Sequence, residues 1–174
     1  MKEVIEKLKD DVQYYGDFGK QYLSNSDIGT LLNNPREFRQ PQDDNVNFHK
    51  GRYFHQLILE PEKAKETKFI EVSSRNTKAY KEQATNGIIM LRKEGVEIEE
   101  CVQAMMGNLP FFEGIREEGS EYEVPAIKQI HGLTWKGKAD IVCPNQLIDL
   151  KTTGSISDFK WSARKYNYDS QCFI

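Results

Sequence analysis

The feature that most constrains the fold is a run of three strand-like segments in the last third of the chain. They read EYEVPAIKQI (121–130), LTWKGKADIV (133–142) and QLIDLKTT (146–153), and only HG and CPN separate them. Short connections that contain Gly, Pro or Asn join neighbouring antiparallel strands. We therefore predict a β-meander that turns first at His131–Gly132 and again at Pro144–Asn145.

Helical patterns dominate the rest of the chain. They cover residues 1–14, 26–34, 47–59, 77–95, 98–108, 110–119 and 155–168, with a brief strand over 68–73 and a polar loop over 39–47. Ser157 or Asp158 caps the last helix. This order predicts an α/β protein, α+β in outline. We expect one domain over 1–174, with a helical part over about 1–118 and the strands and final helix over about 119–174.

Composition excludes several classes of protein. Hydrophobic residues make up 38% and charged residues 29% of the 174 residues, which is typical of a globular protein rather than a disordered one. No apolar run approaches the ~20 residues that span a bilayer, and the start, MKEVIEKLKD, lacks the apolar segment of a signal peptide. We expect a cytoplasmic protein. Cys101, Cys143 and Cys172 are too widely spaced for a CxxC zinc site and indicate free thiols.

The formal net charge of −3 excludes a generally basic surface but leaves a local one open. Five basic residues around the second strand and the last helix suggest either a phosphate-binding patch or a solvated basic face. They are Lys136, Lys138, Lys160, Arg164 and Lys165.

Three charges stand among the apolar residues of the second and third strands. Because side chains alternate along a strand, Asp149 and Lys151 share a face with Leu150 opposite, and Asp140 on the neighbouring strand can reach the same end. These residues could be exposed edge positions or half of a surface salt bridge. Together they also suit a Mg²⁺ or Mn²⁺ site that activates water for phosphodiester hydrolysis, with the lysine offsetting negative charge.

The stretch GKADIVCPNQLIDLKTT resembles the signature of the PD-(D/E)xK nuclease superfamily, with DLK as its (D/E)xK element. The chain is similar, more narrowly, to the exonuclease VIII (RecE-type) branch of phages and prophages. Four further stretches follow that branch in order, namely SNSDIGTLLNNPREF, KGRYFHQLILEPEK, SEYEVPA and KYNYDSQ. The resemblance implies a restriction-endonuclease-like core, in which the helical half packs on a small mixed sheet and which is incomplete at the C-terminus.

The resemblance also assigns individual residues. The metal ligands that it implies are His55, Glu121, Asp140 and Asp149. The catalytic residues that it implies are Asp140, Asp149, Lys151, Tyr168 and Gln171. Glu123 competes with Glu121, because the two lie on the same strand face. An iron–sulphur variant of the superfamily uses one upstream cysteine and a downstream group of three. Because Cys172 alone follows the DLK element, the resemblance implies no iron–sulphur cluster.

The function implied is that of a Mg²⁺-dependent deoxyribonuclease, with Mn²⁺ as a substitute. By resemblance, it degrades double-stranded DNA ends from 5′ to 3′ during phage or prophage recombination in the bacterial cytoplasm. A single-strand annealing protein is the implied partner, and homo-oligomers occur in such families. One alternative is a catalytically impaired nuclease-fold module that binds DNA or protein. A second is an endonuclease of the same superfamily.

Overall fold

A computed structural model describes residues 1–41 and 43–174; Gln42, which belongs to the predicted polar loop, lies outside the described residues. The helices are α1 (Lys2–Leu8), α2 (Asp11–Tyr15), α3 (Asn25–Asn33), α4 (Val46–Leu59), α5 (Pro61–Ala64), α6 (Lys78–Gln83), α7 (Arg92–Met106), α8 (Leu109–Ile115), α9 (Phe159–Lys165) and α10 (Tyr168–Phe173). Short 3₁₀ helices span Gly19–Gln21 and Pro35–Glu37. The strands are β1 (Phe69–Ile70), β2 (Met90–Leu91), β3 (Glu121–Ile130), β4 (Leu133–Val142) and β5 (Leu147–Ile148).

The chain forms two compact units. Unit 1 comprises Met1–Pro41, Glu121–Asp149 and Thr153–Ile174; unit 2 follows Pro41 as far as Ser120 and includes Leu150–Thr152. Helices and small sheets together confirm the predicted α/β class. In the described part of the chain, the search for a helix with the length and apolar character of a membrane span finds none.

Unit 1 is built on the predicted β-meander. The antiparallel sheet has the order β3-β4-β5, and both long strands have the bounds that the sequence predicts. The turn between them has positive φ at both residues, 51° at His131 and 76° at Gly132. This conformation matches the twist of a two-residue hairpin, and glycine adopts it without a Cβ clash.

The third predicted strand is wrong in its length. It pairs with β4 only through Ile141–Ile148 and Val142–Leu147, and residues 149–153 have no regular structure. The side chains still alternate between buried and exposed as predicted, because Leu150 is 5% exposed while Asp149 is exposed.

The first predicted helix, over residues 1–14, is also wrong as a single element. Helix α1 ends at Leu8, and Asp10 is the N-cap of α2. The Asp10 carboxylate accepts a hydrogen bond from the Val12 amide at 2.7 Å. Asp is a preferred N-cap residue for this reason. Two short helices therefore replace one.

Unit 2 has its core where α4 and α7 meet the short parallel pair β1–β2. Tyr53 and Met90 form one buried cluster with Ala64, and Ile70, Tyr80 and Leu91 form a second one. The pairs Phe69–Met90 and Ile70–Leu91 set the register of the two strands.

The predicted helix over 77–95 is wrong, because three different elements occupy it. Helix α6 ends at Gln83, β2 follows at Met90–Leu91, and α7 begins at Arg92 and runs through Gly95. Gly87 has φ 128°, which no regular helix accommodates. Met90 and Leu91 are 3% and 2% exposed, so burial of these side chains beside β1 outweighs the helical pattern.

Candidate metal centre and catalytic residues

Two carboxylates come together near the open end of the β3–β4 hairpin, far from its turn. The pairs Tyr122–Ile141 and Val124–Ala139 flank Glu123 and Asp140, which are therefore opposite each other. Each offers a carboxylate oxygen, and these oxygens lie within 4.8 Å of each other. Asp140 is 8% exposed. Two negative charges this close, one of them buried, favour a bound cation or a nearby cationic side chain.

The backbone of Glu123 is strained. Its φ of 52° lies in the left-handed region, although Glu123 is the third residue of the ten-residue strand β3. A non-glycine residue in this region costs about 1–3 kcal/mol, and such residues cluster at functional sites. The strain therefore falls on one member of the carboxylate pair.

Glu121, which the resemblance favours as the acidic ligand of β3, lies elsewhere on the strand. It is exposed and is paired with Val142. Residues two apart on a strand are separated by about 6.6 Å. The structure thus brings Glu123 to Asp140 and leaves Glu121 beyond the pair.

Lys138 neutralises part of the charge at this pair. Its ammonium nitrogen lies 2.7 Å from a carboxylate oxygen of Asp11 and 3.4 Å from one of Glu123. Burial, the largest single influence, would lower the pKa of Lys138, but the hydrogen bond to Asp11 and the charges of Tyr15, Asp11 and Glu123 raise it overall. Lys138 is thus held as a cation beside Glu123.

The predicted basic patch divides in two. Lys136 is 7% exposed; its ammonium donates to the Tyr14 carbonyl and lies 4.1 Å from the centre of the Tyr14 ring. Burial lowers the pKa of Lys136. Neither Lys136 nor Lys138 lies on a phosphate-binding patch or on a solvated face, so both interpretations are wrong for these two residues. The three basic residues of α9 are exposed, and Lys160 and Arg164 lie over the Trp161 ring.

A second group of predicted residues meets at the end of β5. The Gln171 side-chain amide donates to the Asp149 carboxylate at 2.9 Å. Tyr168 and Gln171 both lie on α10, a separate helix after α9, so the predicted single helix over 155–168 is wrong in its bounds. Burial raises the pKa of Tyr168, and the charges of Tyr166 and Asp149 raise it further. Unit 1 therefore brings Asp149, Tyr168 and Gln171 together.

His55 lies in unit 2, on α4, and contacts the DLK segment through its middle residue. Its Nε2 is 3.1 Å from the carbonyl oxygen of Leu150, which is the residue between Asp149 and Lys151. Because a carbonyl oxygen only accepts, Nε2 carries the proton of this hydrogen bond, and in a neutral ring Nδ1 then keeps its lone pair. A histidine that ligates a metal commonly donates its other N–H to a backbone carbonyl in this way.

The sequence of residues 30–174 matches the family described as PDDEXK-like domain of unknown function (DUF3799). The chain belongs to this family. The match confirms the predicted membership of the PD-(D/E)xK nuclease superfamily, whose nucleases depend on divalent metal ions. All the candidate residues of this PDDEXK-like domain, from His55 to Gln171, fall within the matched range. Searches of curated proteins and of solved structures return no match.

Glu123, which the resemblance ranks just behind Glu121, is the β3 carboxylate that lies opposite Asp140. The signal that favours it is the two-residue turn at His131–Gly132, which places Ile130 opposite Leu133 and fixes every pair of the hairpin. Counting back from that turn puts Glu123 opposite Asp140. Asp11, the partner of Lys138, carried no such signal, because it lies 127 residues away in the sequence.

Proposed function

We propose that this PDDEXK-like domain is a metal-dependent deoxyribonuclease that hydrolyses DNA phosphodiesters. The observation that carries the proposal is the pair of carboxylates of Glu123 and Asp140, whose oxygens lie within 4.8 Å. The nucleases of this superfamily depend on divalent metal ions, and carboxylate oxygens are suitable ligands for them. A purely structural hairpin would gain nothing from two facing carboxylates and a strained backbone between them.

The donors fit a hard divalent cation. Carboxylate oxygens are the ligands that Mg²⁺ and Mn²⁺ prefer, and Mg²⁺ usually needs only one or two carboxylates because it keeps several waters. Glu123 and Asp140 would hold the cation, and by resemblance Asp149 and His55 would join them. A bound divalent cation would lower the pKa of water and offset negative charge on the phosphate under attack.

The remaining residues would position the substrate and the ligands. Lys151, two residues after Asp149, would donate to the attacking water or to a phosphate oxygen. Gln171 would hold the Asp149 carboxylate in one orientation through its 2.9 Å hydrogen bond. Tyr168, on the same helix, would donate to Asp149 or to a DNA phosphate.

The finer assignment rests on the motifs GRYFHQLILEP and YDSQ, which resemble the exonuclease VIII branch. On that basis we propose a 5′-to-3′ exonuclease of double-stranded DNA ends that acts in phage or prophage recombination. Its product, a 3′ overhang, would be taken up by a single-strand annealing protein, and the enzyme would work as a homo-oligomer in the cytoplasm of a bacterial cell.

The test compares linear duplex DNA with covalently closed circular duplex DNA, each in Mg²⁺ and in EDTA. Lys151→Ala and Asp149→Ala are the variants, and Lys2→Ala is the control, because it removes an exposed lysine of α1 that lies outside the matched residues 30–174. We expect Mg²⁺-dependent loss of linear DNA with wild type and with the control, and none with the other two.

Three results would change the proposal. Equal loss of DNA with all variants would identify a contaminating nuclease. Cutting of the closed circle would assign an endonuclease. DNA binding without hydrolysis in Mg²⁺ or Mn²⁺ would assign an impaired nuclease-fold module.

A further inference from the structure

A polar cavity of about 320 Å³ lies within unit 2, beside α4. Its lining combines two kinds of residue. One wall carries an excess of cationic side chains, and the other is apolar and is formed by Ile88, Ile89 and Met90. Ligand sites commonly combine an apolar wall with a few convergent polar groups.

The cationic wall is made by α4 and by the segment after α5. Arg52 lies on α4 and Lys68 immediately precedes β1. Neither makes an ion pair or a side-chain hydrogen bond within residues 1–41 and 43–174. Lys63 also lines the cavity but is paired with Glu60 at 2.5 Å. Glu66 is the one carboxylate in the lining, so cations outnumber anions there.

The two walls are fastened to each other by Asp44. One of its carboxylate oxygens lies 2.7 Å from Nε2 of His49, on α4, and the other accepts the Ile88 amide at 3.2 Å. The hydrogen bond from His49 is the main cause of the lowered pKa of Asp44. These bonds tie α4 to the apolar segment at Asp44.

We infer that this cavity binds a phosphate group attached to a nucleoside, with Arg52 and Lys68 holding the phosphate and the apolar wall contacting the sugar or base. Arg provides the paired N–H groups that match phosphate oxygens, and Lys adds a mobile charge. Gln56 and Thr67, which also line the cavity, offer neutral hydrogen-bonding groups for the same ligand. The inference rests on the proposed function, because a nuclease meets such groups both in its DNA and in its mononucleotide product.

Binding is measured by isothermal titration in EDTA, where no DNA is hydrolysed. The probes are 2′-deoxyadenosine 5′-monophosphate, unphosphorylated deoxyadenosine, inorganic phosphate and a short duplex oligonucleotide. The variants are Arg52→Gln and Lys68→Gln, both at exposed positions that the core does not use. Lys65→Gln is the control, because Lys65 is exposed, three residues before Lys68, and paired with Glu62 instead.

We expect the monophosphate to bind wild type and the control alike, and to bind each of the two other variants about tenfold more weakly or worse, since a hydrogen bond to a charged group contributes about 1.5–3 kcal/mol. If only the oligonucleotide binds Arg52→Gln and Lys68→Gln more weakly than it binds wild type, the phosphate comes from a DNA strand. Equal binding of all probes by all proteins, or equal binding of deoxyadenosine and its monophosphate, would overturn the inference. The two proposals fail separately. If Lys151→Ala loses nuclease activity while Arg52→Gln and Lys68→Gln bind the monophosphate as tightly as wild type does, the proposed function stands and this inference fails.

Discussion

The side-chain amide of Gln171 donates a hydrogen bond to the carboxylate of Asp149 at 2.9 Å, and it joins α10 to the end of the β-meander. The two residues are 22 positions apart. Gln171 therefore acts on Asp149, the first residue of the DLK segment, rather than on its own helix.

We expect Gln171→Ala to lower the nuclease rate by about 10- to 100-fold, the usual effect of removing a group that orients a ligand. Because Gln171 is only half-buried, we expect the free energy of unfolding to change by less than about 0.5 kcal/mol. The measurement is the rate of linear duplex loss in Mg²⁺, beside a thermal melt. Gln129→Ala, at the far end of β3, is the control. An unchanged rate would remove Gln171 from the site.

Thermal melts with and without a divalent metal ion can decide whether Glu123 or Glu121 is the metal ligand. A ligand that binds only the folded state raises the free energy of unfolding by about 1.4 kcal/mol at ten times its dissociation constant. We expect Mg²⁺ or Mn²⁺ to stabilise wild type and Glu121→Gln in this way. Neither ion should stabilise Glu123→Gln or Asp140→Asn. Stabilisation that persists in Glu123→Gln and disappears in Glu121→Gln would restore the sequence-based choice of Glu121.

Substitution by alanine should change the free energy of unfolding in opposite directions at two helix glycines of unit 2. A Cβ at Gly51 of α4 would meet nothing within 4 Å, whereas one at Gly95 of α7 would lie 2.5 Å from the Phe69 ring. Arg92 lies over that ring, and Tyr53 makes an edge-to-face contact with it. We expect Gly51→Ala to raise the free energy of unfolding by about 0.5–1 kcal/mol.

Gly95→Ala should lower the same free energy by about 1–2 kcal/mol, because the cost of overpacking exceeds the gain in helix propensity. Urea titrations of both variants provide the measurement. A stabilised Gly95→Ala would mean that the Phe69 ring moves aside at little cost.

Glu94 should make the stability of unit 2 depend on pH. It is 7% exposed; burial would raise its pKa most, but hydrogen bonds from Arg75, the Leu91 amide and Lys50 outweigh burial and lower the pKa to about 2. A carboxylate with a depressed pKa stabilises the folded state above its unfolded pKa of about 4.5, and this contribution disappears as the pH falls towards 2.

The contribution of Glu94 amounts to at most about 3 kcal/mol. We expect Glu94→Gln to lower the free energy of unfolding at pH 7 and to flatten its decline between pH 5 and 3. Glu97→Gln, on the exposed face of the same helix, should keep the wild-type profile. Denaturant unfolding at a series of pH values checks both, and parallel profiles for wild type and Glu94→Gln would contradict the assignment.

The sequence by itself determined the hairpin and the family. The two-residue turn at His131–Gly132 and the strand period of two suffice to set the bounds of β3 and β4 and to pair Glu123 with Asp140, because both signals are local. The motif around Asp140, Asp149 and Lys151 identified the superfamily together with its strand alternation and the stretches GRYFHQLILEP and YDSQ, because the three charges alone are a common pattern.

The tertiary structure decided what depends on distant neighbours. Met90 and Leu91 form a strand rather than a helix because their burial beside β1 outweighs the local helical pattern. Lys138 is a buried partner of Asp11 because a segment 127 residues away folds onto its strand. The contact of His55 with the Leu150 carbonyl spans 95 positions. No local signal encodes these distances, because they arise only when separate segments pack together.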